Sequence, residues 1–238
     1  MADPCLRIRE LSHSWGSQHS LFREFSADLQ AGKITALVGL SGCGKSTLLK
    51  LAAGLLPTQA GSVEGNYTKS AMVFQSPSLL PWRSAAQNTA LPLELRRESQ
   101  AIERAQQMLD KVGLREAWNK LPHEMSGGMK MRCAIARALV VNPDLLFLDE
   151  AFSALDALTR RDVHALFLRL YKELGFTALM VTHDIEEAVL LADHIWVLKG
   201  PDASSVEDIH VPKERPRPSS WRHSPEFGSI CSSVEGAL

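Results

Sequence analysis

The chain has 238 residues, with 45% apolar and 22% charged side chains, the make-up of an ordinary globular protein long enough to bury a core unaided. Lys and Arg number 26 against 27 Asp and Glu, a net charge of −1, which excludes the basic excess of a dedicated nucleic-acid binder. Four scattered cysteines, with no C-x-x-C pair, give neither a disulfide framework nor a zinc site.

In chain order, the start lacks the apolar stretch of a signal peptide. No apolar run approaches the roughly 18 residues that cross a bilayer. The expectation is a soluble protein, or one held to a membrane by a partner. Residues 6–25 read as short strands and turns, with Trp15-Gly16 as a breaker. Residues 33–38 form an apolar run that ends in a glycine-rich loop, as a buried parallel strand does when it feeds a helix. The helix follows over 45–53, with Gly54 as its stop. Strands return within 61–74. Ile102, Ala105, Leu109 and Val112 fall at helical spacing. A second long helix covers 126–141, and 145–148 is another buried strand before Asp149. Val163, Leu166, Phe167, Leu170 and Leu174 mark a further helix. Residues 177–182 and 195–198 are strands, with a helix over 185–192 between them. Strands alternating with helices predict a mainly parallel sheet covered on both faces. From Pro201 onward, prolines, serines and glutamates predict a loosely ordered tail over 201–238.

Gly39-Leu40-Ser41-Gly42-Cys43-Gly44-Lys45-Ser46-Thr47 fits G-x-x-x-x-G-K-[ST] between a predicted strand and a predicted helix. Glycines let successive backbone N–H groups wrap a polyphosphate, and the helix N-terminus adds its positive end. Lys45 can reach the β- and γ-phosphates, and Ser46 can offer its hydroxyl to Mg²⁺. Cys43 is most simply a small residue of the loop.

Leu145-Leu146-Phe147-Leu148-Asp149-Glu150 is an apolar strand ending in two carboxylates. Asp149 can hold Mg²⁺, and Glu150 can orient a water for in-line attack on a γ-phosphate. The two motifs together point to a P-loop nucleoside triphosphatase. A third, Met125-Ser126-Gly127-Gly128-Met129, opens a helix with Ser126 as N-cap and two glycines that leave N–H groups open. One nucleotide does not need two triphosphate cradles from one chain, so this helix is expected to cap a nucleotide held by another subunit.

Together these motifs resemble the nucleotide-binding subunit of an ABC transporter, over about residues 6–200. The resemblance implies an α/β fold: a RecA-like P-loop NTPase core with a parallel sheet, an antiparallel β subdomain, and a helical subdomain at about 76–135 carrying the signature motif. It implies that Gln75 links Mg²⁺ and water to the membrane partner. Ser153-Ala154-Leu155-Asp156 matches the loop that crosses between subunits, with Asp156 at the nucleotide. His183 in Val181-Thr182-His183-Asp184 matches the switch histidine at the γ-phosphate. Trp15 lies where the family stacks an aromatic on adenine; Phe22 is a rival, and core packing is the plain alternative. Met129 and Met131 stand where Gln is frequent in the signature, and Ala151 where Pro often follows the Glu.

The segment around Phe74, Gln75, Leu80-Pro81-Trp82-Arg83 and Asn88, with residues 121–124 before the signature, is similar to the nitrate, sulfonate and taurine importer group. Trp82 is either an exposed aromatic facing a permease or a core residue of the helical subdomain. On this resemblance the chain binds ATP and Mg²⁺. It pairs head to tail with a second ATP-binding subunit as a homodimer. It then drives a separate polytopic permease served by a periplasmic or surface substrate-binding protein, from the cytoplasmic face of the inner membrane, with no nucleic acid involved. The alternatives are the ATPase of an exporter or lipid-trafficking system, and a soluble ABC ATPase.

Overall fold

The computed structural model describes residues 4–15, 19–200, 202–215 and 217–238. In chain order the elements are β1 (Pro4–Trp15), β2 (His19–Gln30), β3 (Ile34–Gly39), α1 (Lys45–Ala52), β4 (Ala60–Gly65), β5 (Ser70–Val73), α2 (Ala85–Leu95) and α3 (Ala101–Lys111). Then follow α4 (Gly127–Leu139), β6 (Leu145–Asp149), α5 (Ala157–Leu174), β7 (Thr177–Val181), α6 (Ile185–Leu191), β8 (His194–Leu198), β9 (Glu207–His210) and α7 (Pro225–Ala237). The chain divides into two compact units, Met1–Tyr67 with Thr177–Leu238, and Thr68–Phe176.

The first unit holds an antiparallel sheet in the order β2-β1-β4. Irregularities in the β1 register after Ile8 and Leu11 bend the long strand. Gly61 opposes the first of them at φ 82°, where a Cβ would stand 2.4 Å from the carbonyls of Arg9 and Glu10. The same unit contains β3 between two parallel neighbours, with Leu37 level with Val181 of β7 and with Trp196 of β8. Every residue from Ile34 to Val38 is buried, as expected of a parallel strand covered on both faces. Here the sequence expectation of strands over 33–38, 177–182 and 195–198 agrees with β3, β7 and β8 to within about one residue.

The second unit pairs β5 parallel with β6, Ala71 level with Leu146. Helix α4 packs on β5, and α2, α3 and α5 pack against α4. Helix α2 carries Pro92 in its interior, where proline removes a backbone donor. Its start is secured by a capping box, in which the Ser84 hydroxyl accepts from Gln87 N and the Gln87 side chain accepts from Ser84 N. Asn88, fully buried, accepts from Leu80 N at 2.7 Å and donates to the carbonyls of Leu80, Arg83 and Ser84. One amide therefore fixes the whole turn that carries Trp82.

The expectation of a loosely ordered segment over 201–238 is corrected by the structure. Strand β9 adds antiparallel to β8, and a 3₁₀ turn at Ser219–His223 leads into α7. Val211, Trp221, Phe227, Val234 and Ala237 are buried. Arg217 donates to the carbonyls of Val189 and Leu190, the last turn of α6, and to that of Lys213. Its guanidinium lies 5.3 Å from the Trp221 ring centre. Burial, together with neighbouring Arg215, lowers its pKa to about 10. Arg215 reaches Leu191 O and pairs with Asp193, which also accepts from Ile34 N. The prolines misled the sequence reading because they sit where helices and turns accept them: Pro225 is at the first turn of α7, after the N-cap Ser224.

Candidate functional site

In the first unit, β3 runs into a loop whose Gly42 and Gly44 have φ of 83° and 103°, and α1 begins at Lys45. Such angles turn the chain tightly enough to point N–H groups inward. At Gly44 a Cβ would also meet Phe22 Cζ at 2.9 Å. At Gly39 it would meet Cys43 Sγ at 2.7 Å and Leu198 O at 2.8 Å. The buried Lys45 crosses the loop and donates to Gly39 O at 2.8 Å and Leu40 O at 2.9 Å. Its ammonium thus sits against two loop carbonyls, and no acidic side chain is among its hydrogen-bond partners in the described residues. Cys43 is buried beside it and serves as the small residue expected. Leu40 and Ser41 are exposed at the loop tip, and Ser46 and Thr47 occupy the first turn of α1.

Val181, the last residue of β7, is level with Leu37 of β3, and Thr182 N donates to Leu37 O at 3.2 Å, so His183 lies just beyond this strand end. Adjacent strands lie about 4.8 Å apart. His183 is exposed at this strand end. Thr182 Oγ1 accepts from Asp184 N, and Asp184 caps α6 by accepting from Glu187 N. A cleft of about 910 Å³ lies beside the loop, lined by His13, Phe22, Leu40, Ser41, Gly42 and Gln59 among others. Trp15 is 55% exposed, while Phe22 is 1% exposed, so Phe22 is core and Trp15 is the exposed aromatic of the two. Gly16, the other half of the expected breaker, lies outside the described residues.

In the second unit, Gln75 follows β5 and donates to Ser153 Oγ at 3.4 Å, and Ser153 Oγ donates to Glu150 O at 2.8 Å. Glu150 has φ 45°, an uncommon angle for a side-chain-bearing residue, directly after Asp149 at the end of β6. Ser126 caps α4 by accepting from Met129 N at 3.2 Å. Gly127 has open space around it, but a Cβ on Gly128 would stand 2.5 Å from Thr159 Cγ2. Thr159 N also donates to Asp156 at 3.1 Å, so the start of α4 and the start of α5 meet at one threonine. The Thr159 hydroxyl and N–H hold the Asp156 carboxyl below the ordinary aspartate range. Met131 is buried and belongs to the core, and Met129 is half-buried.

Two residues outside the sequence expectations organise these loops. Arg137 of α4 donates to Pro77 O and Ser78 O, both at 2.8 Å, and tethers the segment after Gln75 to the signature helix. Arg160 donates to Ser153 O and Leu155 O and holds the loop before α5. Neither had a sequence signal, because an arginine that binds backbone carbonyls needs no partner of fixed type.

The residues therefore fall into two sets: the loop at 39–47, Trp15 and His183 in the first unit; Gln75, Asp149, Glu150, the signature and Asp156 in the second. The sequence model of the ABC transporter family matches residues 22–153, more than half of the chain. The chain belongs to the ABC transporter family. It is 44% identical over 216 residues to the nitrate import ATP-binding protein NrtC of Synechococcus elongatus, covering 85% of this chain and 32% of that protein. It is 43% identical to the aliphatic sulfonates import ATP-binding protein SsuB 1 of Paraburkholderia xenovorans, covering 91% and 63%. It is 43% identical to the taurine import ATP-binding protein TauB of Escherichia coli, covering 82% and 80%. The chain thus spans about a third of NrtC and less than two thirds of that SsuB 1. Among solved structures, an inward-facing metal-chelate type ABC transporter matches with TM-score 0.78 at 25% identity, covering 88% of this chain and 84% of that one. A dimeric ATP-binding cassette in a post-hydrolysis state, bound to ADP and Pi, matches with TM-score 0.76 at 26% identity, covering 88% and 100%. The fold is that of ABC-family P-loop ATPases, a mixed sheet with helices around it.

Among the described residues, no helix is long and apolar enough to cross a membrane, and no group of three or more metal-ligating side chains is assembled. The donors in the two sets are hydroxyl, amide and carboxylate oxygens, the hard ligands that Mg²⁺ takes alongside phosphate and water.

Proposed function

We propose that this chain is the ATP-hydrolysing subunit of an ABC importer that moves a small anionic or zwitterionic solute such as nitrate, a sulfonate or taurine. The observation that carries the proposal is the loop at 39–47. There a buried lysine and a glycine-shaped helix N-terminus form a polyphosphate cradle, with His183 two residues beyond the end of the neighbouring strand β7. The relatives named as nitrate, sulfonate and taurine import proteins support the solute class.

In this reading Lys45 and the N–H groups of the loop bind the triphosphate, and Trp15 stacks on the base. Ser46, Asp149 and Gln75 would hold Mg²⁺, which would supply positive charge to the β- and γ-phosphates. The Glu150 carboxylate orients and polarises the attacking water, and His183 stabilises charge on the departing γ-phosphate. Two chains face each other head to tail, so that Ser126, Gly127, Gly128 and Met129 of one, with its Asp156, close over the nucleotide of the other. The dimeric ATP-binding cassette with ADP and Pi supports this arrangement. Hydrolysis removes the group that holds the sandwich closed, and opening drives the permease. Trp82 is 72% exposed on the turn fixed by Asn88, a rigid aromatic suited to a docking surface for the permease on the cytoplasmic face. A substrate-binding protein would deliver the solute.

The test is Glu150→Gln with Mg-ATP. The variant is expected to lose turnover while accumulating as an ATP-bound dimer on size-exclusion chromatography, and to retain a polytopic permease when isolated from native membranes. A variant that hydrolyses ATP at the wild-type rate, or stays monomeric under saturating Mg-ATP, would sink the mechanism.

A further inference from the structure

Leu11, His13 and Trp15 are every second residue of β1 and fall on one face of the strand; Leu11 and His13 are buried, and Trp15, at the strand end, is exposed. The two rings meet at 5.3 Å between centroids and at 85°, edge to face. His13 is 6% exposed and lines the cleft beside the phosphate loop. Neither of its ring nitrogens has a hydrogen-bond partner among the described residues. A buried polar group in that state is costly, and a phenyl ring would pack there at lower cost. The edge-to-face geometry is the arrangement in which a ring N–H can face an indole π surface. The backbone between the two rings is held as well. Gln59 accepts from Ser14 N at 2.8 Å and donates to Ser14 O at 3.0 Å, a two-way clamp on the one residue that separates them.

We infer that His13 and Gln59 form a positioning frame that presents the Trp15 indole to the base of the bound nucleotide, so that affinity for the nucleoside part depends on them. The inference rests on the reading of the loop at 39–47 as an ATP site. Neither residue touches the reacting phosphates. Both act through Trp15: His13 by fixing the ring plane, Gln59 by fixing the backbone angles on which that ring is mounted. A half-exposed indole without such a frame would lose rotamer freedom on binding, and the ordering cost would be subtracted from affinity.

The experiment is a set of variants assayed for ATPase kinetics and for binding of ATP and of inorganic tripolyphosphate. His13→Ala is expected to raise KM for ATP about fivefold, the scale of one aromatic pair, with kcat held within about twofold. Tripolyphosphate affinity stays unchanged. His13→Phe restores KM to within about twofold, because it keeps the ring-to-ring contact. Gln59→Ala, an exposed residue whose loss does not threaten folding, raises KM for ATP in the same sense. Unchanged KM in both alanine variants would overturn the inference. Tripolyphosphate binding weakened in proportion to ATP binding would also overturn it, since the phosphate loop and not the base contact would then be damaged. Trp15→Ala with wild-type ATP affinity would overturn the frame while leaving ATP binding in place. A wild-type chain that does not bind ATP would instead refute the ATP-site reading beneath it.

Discussion

Gly127 and Gly128 stand side by side in the signature motif, and the structure assigns them opposite responses to the same substitution. A methyl on Gly127 meets nothing within 4 Å, whereas on Gly128 it would stand 2.5 Å from Thr159 Cγ2. Carbon atoms rest at about 3.5–4.0 Å, so roughly 1 Å of displacement between α4 and α5 is needed. Threonine is β-branched and cannot swing its methyl aside freely. Such overpacking costs about 1–3 kcal/mol, against which the helix propensity of alanine over glycine returns up to about 1 kcal/mol. Gly128→Ala is therefore expected to destabilise by about 1–2 kcal/mol, a fall in Tm of about 2–8 °C, whereas Gly127→Ala is neutral or raises Tm slightly. Thr159→Ser removes the offending methyl but keeps the hydroxyl and N–H that hold Asp156. The Gly128→Ala/Thr159→Ser double variant should accordingly recover most of the loss, with a coupling of at least about 1 kcal/mol in a double-mutant cycle read by thermal unfolding. Additivity within about 0.5 kcal/mol, or equal effects at the two glycines, would refute the close approach of α4 and α5.

Two further expectations concern the C-terminal segment and acid stability. Trp221 is buried, edge-on to Phe227 at 5.1 Å, and donates to Glu226 at 2.8 Å; Trp221→Ala, a truncation of the kind that costs about 3–5 kcal/mol, should release α7 to proteolysis and amide exchange while β3 stays protected. Unchanged protection of α7 would show that the segment is held by other means. The lowered pKa of Asp156 means that its folded form favours the carboxylate, so the stability it lends is in place above the ordinary aspartate range and lost as pH falls through the lowered value. Asp156→Asn should therefore narrow its Tm difference from wild type on acidification, and a difference that widens below pH 4 would contradict the sign.

What the sequence made legible was whatever local chemistry imposes on it. A phosphate cradle requires glycines at fixed offsets and a lysine at the helix start, so residues 39–47 stand out whatever surrounds them. Buried parallel strands must be apolar throughout, which is why β3, β6, β7 and β8 were placed to within about a residue. Helix α2 went unread because Pro92 breaks its pattern, although Ser84 and Gln87, three apart, already spelled the capping box that opens it. For the C-terminal segment, composition predicts loose order, whereas the position of each proline is compatible with a folded segment. Pro225 sits in the first turn of a helix, and the docking of Arg217 on α6 is a long-range contact that no local window contains. His13 and Gln59 were missed for the same reason, being 46 residues apart in a frame that only the fold closes.

The loops of the second unit are tied together largely through hydrogen bonds to backbone carbonyls. Gln75 reaches Ser153, Ser153 reaches the carbonyl of Glu150, Arg160 ties down the carbonyls of Ser153 and Leu155, and Arg137 ties Pro77 and Ser78 to α4. Hydrogen bonds to carbonyls are directional, and several of these are partly shielded from water. The segment at 75–78, the signature helix and the loop before α5 are thereby joined into one hydrogen-bonded body. Glu150 is the point at which that body bears strain, for its φ of 45° is held by the Ser153 bonds on its own carbonyl. A group proposed to orient a water needs a fixed backbone beneath it, and the two Ser153 bonds to the Glu150 carbonyl supply one.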